Sequence, residues 1–274
     1  MSPVPFEISI AVISMDAEAP LYSAVVGCGP SGCVVVRLLT ESAAKARLVA
    51  VDQTKEALDE SKADIMITAQ PGKKVSGDIG TYEVVFIVLD PSEPGSAGWA
   101  EEIAAKASAS GAYLVGIVIR PPGQAMPDLP DIRSLLGSVA LIDADYIFEK
   151  RGGNDQAMAL QIAFNFTAHT LAFIAGALDT GELSVPELRK ETDGRTVAFA
   201  ASHLSDPISI YSLTMSKINR GEVKSGIVFL DDTIEDVPAR RIFYAIGKTL
   251  PNAEMSMIRT KGLEPFKILA LVAY

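Results

Sequence analysis

The chain has 274 residues, 49% of them hydrophobic and 21% charged, with 34 acidic against 24 basic side chains and a net charge of −10. That length supports a substantial core in one large domain or two modest ones. The negative balance argues against a nucleic-acid partner, and two cysteines and two histidines are too few for a disulfide framework, a four-ligand zinc site or most histidine-based hydrolase schemes. Cys28 and Cys33 share one glycine-rich segment, which suits a reduced, cytoplasmic protein, and residues 1–7 lack the basic start of a secretory signal.

In chain order, Leu21–Val26 reads as a β-strand and runs into Gly27-Cys28-Gly29-Pro30-Ser31-Gly32, with a helical pattern from about Cys33 to Lys45. Arg47–Val51 is a strand ending at Asp52, and Asp64–Thr68 is another. Val84–Leu89 and Tyr113–Ile119 are continuous apolar strands flanking a helix at Trp99–Ser108, and Val139–Ile142 is one more strand. Continuous Val/Ile-rich strands alternating with helices predict a doubly wound parallel sheet over residues 1–153, a Rossmann-like α/β domain. Pro121–Pro130 is the most linker-like stretch.

Residues 154–180 form a long central helix. The 23 residues Gln156–Leu178 carry no charge, which is membrane-spanning length. Gln161, Asn165, Thr167, His169 and Thr170 interrupt the run and its flanks are acidic, so a buried helix between two domains is expected rather than a membrane span. Residues 181–274 read as a smaller α+β domain. Its strands are expected at Thr196–Ser202, Lys224–Leu230, Met255–Arg259 and Phe266–Val272, and its helices at Ile208–Arg220 and Val237–Leu250. His169 is expected in the core. His203 ends a strand beside Ser202 and Ser205 without a nucleophile-elbow pattern. The acidic tract Asp231–Asp236 is expected to be a solvated helix start.

Gly27, Gly29 and Gly32 make a G-x-G-x-x-G turn between strand and helix, where free N–H groups can hold a phosphate. Asp52 lies at the end of the following strand, where a dinucleotide enzyme keeps its ribose carboxylate. On these features alone an NAD-linked oxidoreductase and a tight turn that binds nothing are both open.

The rest of the chain resembles the tubulin/FtsZ superfamily, and FtsZ in particular. Gly27–Cys33 is similar to the first FtsZ phosphate loop, and the tract from Asp52 through Thr54 to Leu58 to its N-T-D-x-Q-A-L. Val84 through Pro122 can be laid on an FtsZ strand–loop–helix–strand block without a gap, and Phe173-Ile174-Ala175 falls in the central helix. The resemblance implies a GTP or GDP site formed by Gly27, Cys28, Gly29, Pro30, Ser31, Gly32, Asp52, Thr54, Gly95, Ser96, Ala97, Gly98 and, for the base, Asn165. It also implies head-to-tail self-assembly or a conventional FtsZ as partner.

The departures matter as much. Where FtsZ has G-G-G-T-G-T-G, this chain has Ser92-Glu93-Pro94-Gly95-Ser96-Ala97-Gly98. Pro94 removes a donor. Glu93 either points to solvent or sits where a phosphate would, repelling it by about 4 kcal/mol for unit charges near 4 Å. The region between Thr68 and Val84 is too short for FtsZ's third phosphate loop and its helix. The catalytic loop N-x-D-x-x-D falls on Leu183–Lys190, as Ser184/Pro186/Arg189 or Val185/Glu187/Lys190, so at most Glu187 survives as an acid. The resulting expectation is a degenerate, non-hydrolysing or weakly GTP-binding assembly protein without a metal site. An active FtsZ-like GTPase with unusual loops is the nearest alternative. Arg189 and Lys190 on one surface are expected to meet Asp90 and Glu93 on another in a nucleotide-free longitudinal contact.

Overall fold

The computed structural model describes residues 22–150, 153–204 and 213–274. Among these described residues eleven strands form one sheet in the order β10-β9-β11-β7-β6-β5-β4-β1-β2-β3, with β8 paired beside β7. From β1 (Ser23–Cys28) through β2 (Arg47–Asp52), β3 (Ile65–Thr68), β4 (Val84–Leu89), β5 (Tyr113–Arg120) and β6 (Ser138–Asp143), every pairing is parallel. β1, β4 and β6 are buried along their whole length, as continuous apolar runs covered on both faces require. β7 (Thr196–Ser202) continues the sheet through a short parallel contact with β6 at Val139↔Thr196 and Ala140↔Val197. Beyond it, β11 (Ile268–Ala273) is antiparallel to both β7 and β9 (Ser225–Asp231), and β10 (Glu254–Thr260) closes the edge parallel to β9.

The two faces of the sheet are packed differently. On one, α1 (Gly29–Glu41), α5 (Ala144–Lys150) and α6 (Gln156–Asp179) cover a single apolar core. It runs from Val25 and Phe86 in the parallel part to Phe229 and Leu271 in the mixed part. On the other, α3 (Ser96–Ala109) and α4 (Leu129–Leu136) cover one core, and α8 (Asp236–Thr249) covers a separate one under Ala239, Ile242 and Ile246. α6 therefore spans both parts of the sheet within one core. Phe164, Phe166, Leu171 and Ile174 point inward from it, and Phe173 meets Phe229 edge-on at 5.0 Å. Among the described residues α6 is the only helix long and apolar enough to cross a membrane, and half of that apolar stretch is buried inside the protein.

Several expectations change. α1 begins at Gly29, not near Cys33, because Gly29 takes φ +81° and Pro30 enters the first turn ready-formed. The helix expected over Ile208–Arg220 lies partly outside the described residues. Within the rest, β8 (Leu213–Thr214) pairs with β7, and Met215 gives its carbonyl to Asp143 N at 2.7 Å, so the backbone is satisfied by the sheet. Pro121–Pro130 is not a linker. It folds back as the β5–α4 connection, with Arg120 Nε donating to Gln124 O at 2.9 Å and Gly123 N to Asp145 Oδ1 at 3.0 Å. His169 is exposed beside Phe266 instead of buried, since Phe166 and Thr170 take the inward positions of that turn. Asp231 is not solvated: it is 3% exposed at the end of β9 and accepts from Lys267 Nζ at 3.1 Å and Thr233 N at 3.1 Å. His203 donates from Nδ1 to the Pro265 carbonyl at 2.9 Å.

Candidate functional site

The glycine loop closes where β1 ends and α1 begins, at the carboxyl ends of the parallel strands. Its glycines are required by close backbone approach. A Cβ on Gly27 would lie 2.3 Å from Gly32 O, and one on Gly32 would lie 2.6 Å from Gly27 C and 2.8 Å from Val88 O. These two residues let strand and helix touch, the packing role such glycines have in nucleotide-binding turns. Cys28 precedes the helix and makes no side-chain cap, which leaves the first-turn N–H groups of α1 for another acceptor.

That acceptor is Glu93. Its carboxylate takes a hydrogen bond from Ser31 N at 3.0 Å and from Ser31 Oγ at 2.7 Å, with the second oxygen 3.3 Å from the same N–H. A Cβ on Gly29 would lie 2.4 Å from Glu93 Oε2, so the side chain lies directly over the loop. Burial raises the Glu93 pKa from 4.5 to about 7; the Ser31 bonds oppose this, and nearby Asp90 and Asp52 add to it.

The 90–98 segment is held as a closed turn. Asp90 Oδ1 accepts from Ser92 N at 2.8 Å and Ser92 Oγ at 2.7 Å, and Ser96 Oγ donates to the carbonyls of Asp90 and Glu93. Gly95 at φ +89° turns the chain into α3 under the buried Trp99 ring. Ala97 and Gly98 are exposed in the first turn of α3.

Asp52 is 1% exposed and turned inward. Its Oδ1 accepts from Thr54 N and Thr54 Oγ1, each at 2.7 Å, while buried Oδ2 has no partner among the described residues. Thr54 in turn caps α2 (Lys55–Ser61) through Ala57 N. Both thiols are buried; desolvation raises Cys28 strongly and pushes Cys33 up to about 12, so neither is a nucleophile at neutral pH. Among the described residues no group of three or more histidine, cysteine or acidic side chains could hold a metal ion.

The structure thus gathers Gly27–Gly32, Asp52, Thr54 and Gly95–Gly98 at one edge of the sheet. Asn165 is on the exposed side of α6 and accepts from Gln161 Nε2 at 3.1 Å. Glu187 is at the opposite edge, in α7 (Val185–Thr192). There Arg189 lies over the ring of Tyr113, the first residue of β5, at 5.0 Å. A six-residue strand separates the two edges by about 20 Å, so the acid and the glycine loop do not meet within one molecule. Glu187 completes a capping box: Ser184 N donates to its Oε2 at 2.9 Å, Ser184 Oγ donates at 2.7 Å, and Glu187 N returns a bond to Ser184 Oγ at 3.3 Å. Those bonds lower its pKa. The four charges expected to pair between copies are partly engaged at home: Asp90 is 3% exposed, Glu93 is on Ser31, Arg189 is on Tyr113, and Lys190 is 3.4 Å from Glu191. Sequence reasoning missed the capping box, although Ser-x-x-Glu at 184–187 signals it locally.

No protein-family model and no curated protein matches the chain. Solved structures do. An empty FtsZ dimer from M. jannaschii superposes with a TM-score of 0.74 at 16% identity, covering 93% of this chain and 89% of that one. CetZ from Methanosaeta thermophila gives a TM-score of 0.67 at 16% identity, with 93% and 86% coverage. A GTPγS-bound protofilament of CetZ2 from Haloferax volcanii gives 0.67 at 14% identity, with 92% and 91% coverage. The chain has the FtsZ/CetZ fold over nearly its whole length.

Proposed function

We propose that this chain is a divergent, cytoplasmic FtsZ-like protein that does not hydrolyse GTP and acts as an assembly or regulatory partner, by head-to-tail contact with its own kind or with a conventional FtsZ. The proposal starts from the shared fold, whose solved examples include a nucleotide-bound protofilament. One observation carries the departure from GTPase activity: the Glu93 carboxylate occupies the N–H and hydroxyl of Ser31 at the start of α1. A phosphate at that point has to displace the Glu93 carboxyl group from Ser31. It also meets the negative charge of Asp90 and Asp52.

Hydrolysis faces a second obstacle. The FtsZ resemblance implies that the water-orienting acids come from the opposite end of a neighbouring copy, and the surviving candidate here, Glu187, is bound in its own capping box. A lysine or arginine at the next positions can stabilise phosphate charge but cannot orient water as a carboxylate does. The NAD reading is weakened by Asp52, whose carboxylate is inward and holds Thr54 instead of facing a ribose.

The test is a calorimetric titration with GTP, GDP and NADH, alongside GTP turnover in Mg²⁺. The expected result is turnover at the uncatalysed background and weak or no nucleotide binding. Glu93→Gly combined with Pro94→Gly should tighten GTP or GDP binding. Steady turnover abolished by Glu187→Ala overturns the pseudoenzyme reading, and saturable NADH binding overturns the GTPase-derived one.

A further inference from the structure

A cavity of about 300 Å³ opens beside the glycine loop, between the ends of β4 and β5 and the segment leading into α4. It shares no lining residue with Gly27–Gly32, Asp52, Gly95–Gly98 or Asn165, and Glu93 does not line it. Its volume is at the lower end of small-molecule sites. Ile119, Met126 and Ile132 give it an apolar wall, and Met126 is 55% exposed, unusually open for a large apolar side chain.

The charges lining it are mostly negative, three carboxylates against one guanidinium. Asp90, Asp128 and Asp131 line the cavity, and none of them forms a salt bridge among the described residues. Asp90 is the buried one, at 3% exposure. Both bonds from Ser92 fall on its Oδ1, and its Oδ2 accepts none from the described residues. Asp128 and Asp131 stand exposed at the mouth. The lining includes one cation, Arg120, and each of its three nitrogens already has an acceptor: Nη1 has Asp143 at 3.1 Å, Nη2 has Asp145 at 2.8 Å, and Nε has the Gln124 carbonyl. Two carboxylates on one guanidinium leave it over-neutralised. An anionic ligand finds no free positive partner there, whereas a cation finds a half-free buried carboxylate below and two more at the rim.

We infer that this cavity binds a small organic cation with an apolar stem, an alkylammonium or alkylguanidinium compound, its charged end at Asp90 and its stem along Ile119, Met126 and Ile132. The inference does not depend on whether the glycine loop still takes a nucleotide.

The experiment is isothermal calorimetry of the full chain with 1,6-diaminohexane, with hexanoate and 1-hexanol as stem-matched controls. The expected result is saturable binding of the diamine and none of hexanoate. Asp128→Asn with Asp131→Asn, and separately Asp90→Asn, should each weaken it about fivefold or more. Glu56→Gln with Asp59→Asn on α2 removes the same charge away from the cavity and should leave affinity unchanged. Asp90 is buried, so circular dichroism establishes that its variant is folded, and the rim variant stands as the independent test. No saturable diamine binding, equal binding of hexanoate, or equal weakening by the α2 variant overturns the inference. A lysine-containing hexapeptide in the same assay separates a free cation from a basic side chain: tighter binding of the peptide than of the diamine overturns the small-molecule assignment.

Discussion

Two glutamates in this molecule fold back onto a serine at the start of a helix, and their acidities move in opposite directions. Glu93 accepts from the N–H and hydroxyl of Ser31 at α1, and Glu187 accepts from the N–H and hydroxyl of Ser184 at α7. The bond lengths are nearly the same: 3.0 and 2.7 Å for Glu93, 2.9 and 2.7 Å for Glu187. Yet Glu93 is raised to about 7 and Glu187 is lowered. The difference is solvent. Glu187 is exposed, so its hydrogen bonds dominate. Glu93 lies between two loops with Asp90 and Asp52 nearby, and desolvation outweighs the same bonds. The local motif does not set the electrostatics; the depth at which the fold holds it does.

The contrast can be broken most severely at its buried end. Gly32→Ala places a methyl 2.6 Å from Gly27 C and 2.8 Å from Val88 O, both backbone atoms that cannot swing aside. A loss of about 2–3 kcal/mol is expected in chemical denaturation. Gly98→Ala, with no heavy atom within 4 Å, should be neutral or mildly stabilising. Equal effects would show that the loop is not the tight cradle described.

The titration of Glu93 sharpens the comparison further. Its folded pKa is above the ordinary 4.5, so the folded state holds the proton more tightly than the unfolded chain. Its contribution to stability is therefore present in full below about 4.5 and is lost as pH rises toward 7. With partial solvent screening the loss is of order 1–2 kcal/mol. Glu93→Gln should flatten that part of the stability–pH curve. A slope unchanged by the substitution would place the titration elsewhere.

Glu187 supplies the smallest effect, with the opposite sign. Its lowered pKa means that its stabilisation is present above the ordinary 4.5 and is lost as pH falls below it. Glu187→Ala should cost about 0.5–1 kcal/mol at pH 7, a capping-scale loss. The gap between variant and parent should narrow in thermal melts as pH falls below 4.5. A gap that does not narrow there would show that the cap does not depend on the ionised carboxylate.

Much of the scaffold was legible in the sequence. Short, β-branched-rich runs such as Val84–Leu89 and Tyr113–Ile119 read as strands covered on both faces, and they are. The glycine spacing at 27, 29 and 32 requires a strand–helix turn, and the low charge of Gln156–Leu178 requires a core helix or a membrane one. These are local consequences of periodicity, backbone freedom and hydrophobicity. His169 and Asp231 were misread because each was judged by its neighbours along the chain. Residue 169 falls on the outward stripe of α6, and Asp231 ends a strand beside Lys267, 36 residues away. Which carboxylates face water, which fill a helix start, and which line a cavity depend on partners distant in sequence, as Ser31 and Glu93 are at a separation of 62 residues. Sequence alone determined that an anion-seeking helix start and an acidic loop both exist; only the tertiary structure decided that they meet. The sheet places β1 and β4 side by side and so brings their exit loops into hydrogen-bonding range.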